Sequence, residues 1–202
     1  MRWFTHWTPR YFFDKLCFVV YELTHPSSPW LTAETTKRLD AWLQPTFTGL
    51  EWGAGRSTVW FAQRVAHLTS IEHDSAWHCA VQRKLEKKRI ANVTLLLHPA
   101  NSESYVNVAR TYGDGSLDFA LVDGRQRDRC ALAAIPKIRP GGWLIVDNIN
   151  RYLPSNSRSP LSLGPHDAPL TLCWEKVADQ VAGWHQTWTT NGVYDTVIWQ
   201  RP

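Results

Sequence analysis

The chain has 202 residues, 44% of them hydrophobic and 20% charged, enough for one domain with a sizeable core and too short for two ordinary ones. No apolar stretch reaches the roughly 18 residues of a membrane span; the best candidate, Phe12 to Leu23, is interrupted by Asp14, Lys15 and Glu22. Net charge is +4, and the excess is local: the window Asp123 to Arg158 holds seven basic and three acidic residues, while the remainder is balanced. An excess concentrated in this way points to an anionic substrate or partner nearby.

In chain order, residues 10–23 read as a helix, 24–31 as a Pro/Ser-rich loop, and Thr32 as the N-cap of a helix through about Leu43, with Glu34 in its first turn. From residue 47 the pattern alternates. FTGLE leads into the turn WGAG and the helix STVWFAQRVA. The strand HLTSIE and the helix SAWHCAVQRKLEKKR follow, then NVTLLL and SESYVNVART, then LDFALVD and RDRCALAAIPKI, and finally the strand GWLIVD. Each crossover is long enough to return the chain in parallel, which predicts an α/β sheet covered on both faces. After a loop at 149–166 and a helix at 168–182, WHQTWTT and VYDTVIWQ flank Asn191-Gly192, a strong hairpin signal. Five parallel strands and a terminal antiparallel hairpin are expected.

Ligands of such sheets bind beyond the carboxyl ends of the strands. Those ends carry Glu51, Glu72, Leu97/His98, Asp123 and Asp147, and carboxylates there are poor core residues but good partners for hydroxyls or cations. The first turn, Glu51-Trp52-Gly53-Ala54-Gly55-Arg56-Ser57, has glycines that let backbone approach a ligand. Thr58 stands where a dinucleotide fingerprint has its third glycine, and no GKS or GKT follows, which excludes a phosphate-cradling loop. The acid before the glycines can pair with a cationic amino group. Glu72, 17 residues after Gly55, can accept hydrogen bonds from ribose hydroxyls.

This ordered set resembles the class I S-adenosylmethionine-dependent methyltransferases, over roughly residues 30–202: Glu-x-Gly-x-Gly after the first strand, an acid after the second, Asp-Gly after the fourth, GGWLIVDN at the fifth and a terminal hairpin. The resemblance implies a Rossmann-like three-layer αβα sandwich with strand order 3-2-1-4-5-7-6. Residues 1–31 would form an N-terminal helical or lid segment, and 32–202 the single methyltransferase domain. Cofactor contacts are implied for Glu51, Trp52, Gly53, Gly55, Ser57, Glu72, Asn101 and Asp123, with Pro99–Asn101 beside the adenine. Two subgroups are similar, a small bacterial O-methyltransferase-like group and the related catechol O-methyltransferase type; the magnesium ligands of the latter would correspond to Asp123, Asp147 and Asn148, with a strand-ending turn as the alternative reading of Asp147-Asn148. The last two are also the candidate catalytic residues. Mg²⁺ would lower the pKa of an acceptor hydroxyl and orient its oxygen.

The catechol-type lysine base is absent: its position holds Gln126, which cannot take a proton. Asp147 and, more remotely, His166 remain as bases. Arg125, Arg127, Arg151 and Arg158 are expected to border the acceptor, and an Arg fork suits carboxylate or phosphate. Lys137 and Arg139 precede the fifth strand and belong at the sheet's opposite end. Trp3, Trp7 and Trp30 precede the first core strand, where they would form a lid; Trp60, Trp188 and Trp199 are expected in packing. The aromatic hairpin also offers a homodimer face. His73, beside Glu72, is the histidine expected at the cofactor site.

The expected function is therefore methylation of a small anionic acceptor at oxygen. The rivals are a non-catalytic interaction protein of the same fold, a nicotinamide oxidoreductase and an RNA methyltransferase. The incomplete glycine fingerprint argues against the oxidoreductase. The lack of an appended module or a basic-aromatic stripe argues against nucleic acid. Cys17, Cys79, Cys130 and Cys173 form no CxxC, which fits reduced thiols in a cytoplasmic protein, and MRWFTHWTPR does not read as a signal peptide.

Overall fold

The computed structural model describes residues 8–202. Trp3 and Trp7, expected in a lid, lie outside the described residues. The first helix, α1 (Pro9–Thr24), is capped by the Thr8 hydroxyl; α2 (Ala33–Trp42) is capped by Thr32, as expected. Then β1 (Thr48–Trp52), α3 (Arg56–Ala62), β2 (His67–Glu72), α4 (Ser75–Lys87) and β3 (Val93–Leu97) follow. Next come α5 (Glu103–Asn107), β4 (Leu117–Val122), α6 (Arg127–Ala134), β5 (Ile138–Asp147), α7 (Leu172–Val181), β6 (His185–Thr190) and β7 (Asp195–Gln200).

The sheet runs β3-β2-β1-β4-β5-β7-β6, with β1 to β5 parallel and β7 antiparallel to both β5 and β6. Period-two alternation divides the core. Leu50, Trp52, Val122, Leu144 and Val146 face α5, α6 and α7; Phe119, Leu121, Ile145 and Ile198 face α2 and α3 with Leu39 and Phe61. Each such side chain, fully buried, contributes about 1.5–3 kcal/mol. Glu51 lies between Leu50 and Trp52, so alternation aims its carboxylate at the α3 side, where no water can solvate it.

Several elements differ from the sequence reading: α6 ends at Ala134 in a 3-10 turn that contains Pro136, and α7 begins at Leu172 rather than at 168. The helix expected at 102–111 is a five-residue α5 followed by a 3-10 turn, Val108–Thr111, which turns Val108 and Ala109 into the core. Strand β5 begins four residues early. Gly141 and Arg201 pair backbone to backbone there, and the register against β4 shifts between Leu117 and Phe119 around Pro140, which has no N–H to give. The hairpin loop has four residues, since Thr190 pairs with Asp195; the Asn191 side-chain oxygen accepts from the N–H groups of Val193 and Tyr194 and closes the longer loop. Trp60 and Trp199 are buried, and Trp188 donates its indole N–H to Asp195.

Lys137 and Arg139 pair with Asp114 and Asp118 at the amino end of β5, away from the strand ends that carry the carboxylates. The four cysteines are free, and among the described residues no helix is long and apolar enough to cross a membrane.

Candidate functional site

Strand β1 lies between β2 and β4, so the chain leaves it in one direction along the sheet and later returns on the other side. The crevice past the ends of β1 and β4 is this reversal point. Two turns meet back to back there. The Gly53 N–H donates to the Ile71 carbonyl at 2.8 Å, and the Asp123 N–H to the Trp52 carbonyl at 2.9 Å. Gly53 has φ +98°, and a Cβ on it would stand 2.9 Å from the Asp123 carbonyl carbon. A Cβ on Gly124 would stand 2.0 Å from the Tyr105 hydroxyl. Both positions need a residue without a side chain. Above them opens a cavity of about 790 Å³, within the range of small-molecule and cofactor sites.

Acids and tryptophans line one side of the cavity. Glu72, 4% exposed, accepts the N–H groups of His73 and Asp74 at Oε1, which fixes its rotamer. The His73 ring nitrogen Nδ1 is 2.8 Å from the same oxygen. Trp77 donates its indole N–H to the Ala54 carbonyl at 2.6 Å and stacks on Trp30, with ring centroids 6.4 Å apart. Beneath the glycine turn, Oε2 of Glu51 accepts the hydroxyls of Thr58 (2.6 Å) and Ser70 (2.5 Å), while the buried Oε1 has no partner. Burial pushes the Glu51 carboxyl up to about 7, against the opposing pull of its hydroxyl donors.

The other side is basic. Arg125, Arg127 and Arg151 all reach the cavity wall, and Arg151 is exposed with no ion-pair partner among the described residues. Arg127 is the most enclosed, with a side chain 12% exposed. Its Nη2 donates to the Asp123 carboxylate (2.8 Å) and carbonyl (2.9 Å), its Nε to the Gly124 carbonyl (3.0 Å), and its Nη1 to the Asp147 carbonyl. Asp147 itself is 3% exposed. Its Oδ1 accepts the Thr196 hydroxyl (2.6 Å) and its Oδ2 the Asn148 amide (2.8 Å). Burial, then the nearby Asp123 charge, raise its carboxyl well above the usual carboxylate range. Burial also raises Asp123, opposed by Arg127.

These donors do not fit the magnesium ion considered for Asp123, Asp147 and Asn148. A guanidinium already engages one Asp123 oxygen, both Asp147 oxygens face protein donors, and Asn148 turns its amide nitrogen toward Asp147. Mg²⁺ needs near-octahedral oxygens, and a fixed cation inside the set repels it. Among the described residues no group of three or more His, Cys, Asp or Glu is placed to hold a metal.

Of the residues singled out from the sequence, Gly53, Gly55, Ser57, Glu72, His73, Asp123, Arg125, Arg127, Asn148, Arg151 and Trp30 share the cavity wall. Glu51 and Asp147 lie just behind it. Trp52 turns into the core and donates its indole N–H to the Tyr105 carbonyl. Asn101, Arg158 and His166 are exposed elsewhere. Gln126 is a bracket, donating to the Ala100 carbonyl and accepting from Arg129. Sequence reasoning missed Trp77, Tyr105, Tyr152 and Trp174. Tyr105 is buried, with burial raising its hydroxyl well above the usual range, and its oxygen accepts the Arg125 N–H. No motif marks these four; each follows an ordinary helical or loop pattern.

A seven-stranded sheet in this order, with a glycine turn at the reversal point and a carboxylate after the second strand, defines the class I fold of S-adenosylmethionine-dependent methyltransferases. Residues 50–149 match the family model described as a methyltransferase domain. A candidate caffeoyl-CoA O-methyltransferase from Staphylococcus aureus is similar in fold, with TM-score 0.59 at 16% identity, covering 94% of this chain and 92% of that one. An rRNA methylase from Streptococcus thermophilus gives 0.57 at 10% identity, covering 86% and 99%. The Streptococcus mutans protein SMU.1697c, solved in complex with SAH, gives 0.53 at 13% identity, covering 90% and 97%. Likeness at these identities concerns the fold and leaves the acceptor open. No curated protein matches.

Proposed function

We propose that the protein methylates a small anionic acceptor at oxygen, using S-adenosylmethionine. The observation that carries the reading is the division of one cavity: Glu72 and the glycine turn on one side, Arg125, Arg127 and Arg151 on the other. The groups present suit the cofactor. Glu72 offers its remaining lone pairs to ribose hydroxyls. Gly53 and Gly55 line the cavity with bare backbone where its amino-acid part would lie, and the Glu51 carboxyl is buried behind them. Trp77 and Trp30 give flat apolar wall for a ring. When bound, the cofactor supplies a methyl group on a sulfonium.

The chain's own residues hold the acceptor and set its charge. Arg151 and Arg125 draw an anion into the basic half. Asn148 lies in the wall with Asp147 behind it, so Asp147 fixes the Asn148 amide rather than meeting the acceptor. No base is then required, provided the acceptor oxygen arrives ionised, and alignment is the main contribution.

Calorimetric titration with S-adenosylmethionine and with NAD⁺ tests the reading. Binding of the first alone supports it, and binding of neither ends it. Incubation with a panel of carboxylic acids should then give products heavier by one methyl group by mass spectrometry.

A further inference from the structure

We propose that Arg127 holds the place of a divalent metal between the ends of β4 and β5, and that the acceptor is a single anionic oxygen of carboxylate type rather than a pair of neighbouring hydroxyls that a metal would chelate. The inference rests on the methyl-transfer reading for the acceptor's side of the cavity. Its own ground is the way the guanidinium is built in. Its acceptors come from both strand ends: the carbonyls of Asp123 and Gly124 after β4, that of Asp147 closing β5, and the Asp123 carboxylate. The Tyr152 ring lies alongside, 5.9 Å from the guanidinium carbon. Four of the five N–H donors are thereby used, which leaves one on Nη1 in a side chain that lines the cavity.

A metal and a guanidinium select different acceptors. A metal with open positions binds two adjacent oxygens and acidifies a hydroxyl. A guanidinium keeps its protons and cannot be chelated, but it holds an oxygen that is already charged. In the transfer, a carboxylate oxygen bonds to the methyl carbon as the carbon–sulfur bond breaks. The negative charge on oxygen and the positive charge on sulfur are both consumed, giving an ester and a thioether, and no proton moves. That balance matches a site with a fixed cation, a Gln126 that cannot take a proton and an Asp147 behind the wall.

Mn²⁺, read by its electron paramagnetic resonance signal, tests the proposal on the full chain with bound SAH. The wild type should leave added Mn²⁺ free. Arg127→Ala should sequester it at least tenfold more tightly, Asp123→Asn in that background should release it, and Arg127→Lys, which keeps the charge, should not bind it. Wild type that takes up Mn²⁺ in a manner abolished by Asp123→Asn would overturn the proposal. So would a folded Arg127→Ala protein that binds SAH but no Mn²⁺. If Arg127→Ala does not fold, Arg127→Gln carries the same comparison. SAH calorimetry on the same samples separates the two readings: wild type that fails to bind SAH ends the methyl-transfer reading, while the Mn²⁺ result still decides what Arg127 replaces.

Discussion

The two sides of the cavity are built differently. On the β1–β2 side, the ligand-facing groups belong to tight turns that directly follow strands: Gly53 after β1, Glu72 closing β2 and held by the next two N–H groups. On the β4–β5 side they belong to long side chains, Arg125, Arg127 and Arg151, which reach the cavity from the segments after those strands. Backbone-built sites tolerate almost no change in shape, whereas sites built from long flexible side chains adjust. The first side should therefore be brittle and specific to the cofactor, and the second adaptable, which suits the part of the fold that must differ between acceptors.

The largest effect is expected at the point of backbone contact. Gly53→Val forces a side chain onto backbone at φ +98° and against the Asp123 and Gly124 backbone, and should cost about 3 kcal/mol or more, read as a lowered urea midpoint. A midpoint within error of wild type would refute the brittle side. Next, Glu72→Ala should weaken S-adenosylmethionine binding by about 1–3 kcal/mol, measured by calorimetry, because a charged acceptor is lost.

The third prediction concerns pH. The Glu51 carboxyl sits at about 7 when folded, above its ordinary value, so the folded state holds a proton that the unfolded chain has released. Its contribution is complete below the ordinary carboxylate range and is lost as pH rises toward 7, at about 1.4 kcal/mol per pH unit. Glu51→Gln should flatten that decline in thermal midpoints taken between pH 5 and pH 7.5, values chosen roughly to bracket the shift. The smallest effect is at the adaptable side. Arg151→Glu should raise the acceptor KM by about tenfold while leaving cofactor affinity unchanged, since an exposed charge is worth about 1 kcal/mol. A parallel loss of cofactor affinity would erase the distinction between the two sides.

The same division explains what the sequence made legible. Glycine turns, strand-end acids and period-two strands are local signals, so the parallel strands, the terminal hairpin and Gly53, Glu72 and Asp123 could be placed by spacing, while the strand order came only through the family resemblance. Tyr105 beneath Gly124, and Trp77 against Ala54, bring together residues 19 and 23 positions apart, and nothing in either segment names the partner. The Asp147–Asn148 pair shows the limit from the other side. The residue types were right for a metal, yet the guanidinium that occupies the space comes from Arg127, 20 residues earlier. Pro140 and Pro136 likewise altered β5 and α6 through pairing and packing that a residue-by-residue pattern does not contain.

Helix α1 contributes no buried residue to the core and keeps Phe13, Leu16 and Leu23 exposed. Its attachment leans on Arg56, which opens α3, donates to Glu22 (2.6 Å) and to the His25 carbonyl (2.7 Å), and also lines the cavity. One side chain thus serves as both mooring line and wall. Any occupant that tugs on that guanidinium alters how firmly the helix is tied, and by reciprocity, cutting the helix loose must alter how the chamber greets its guest.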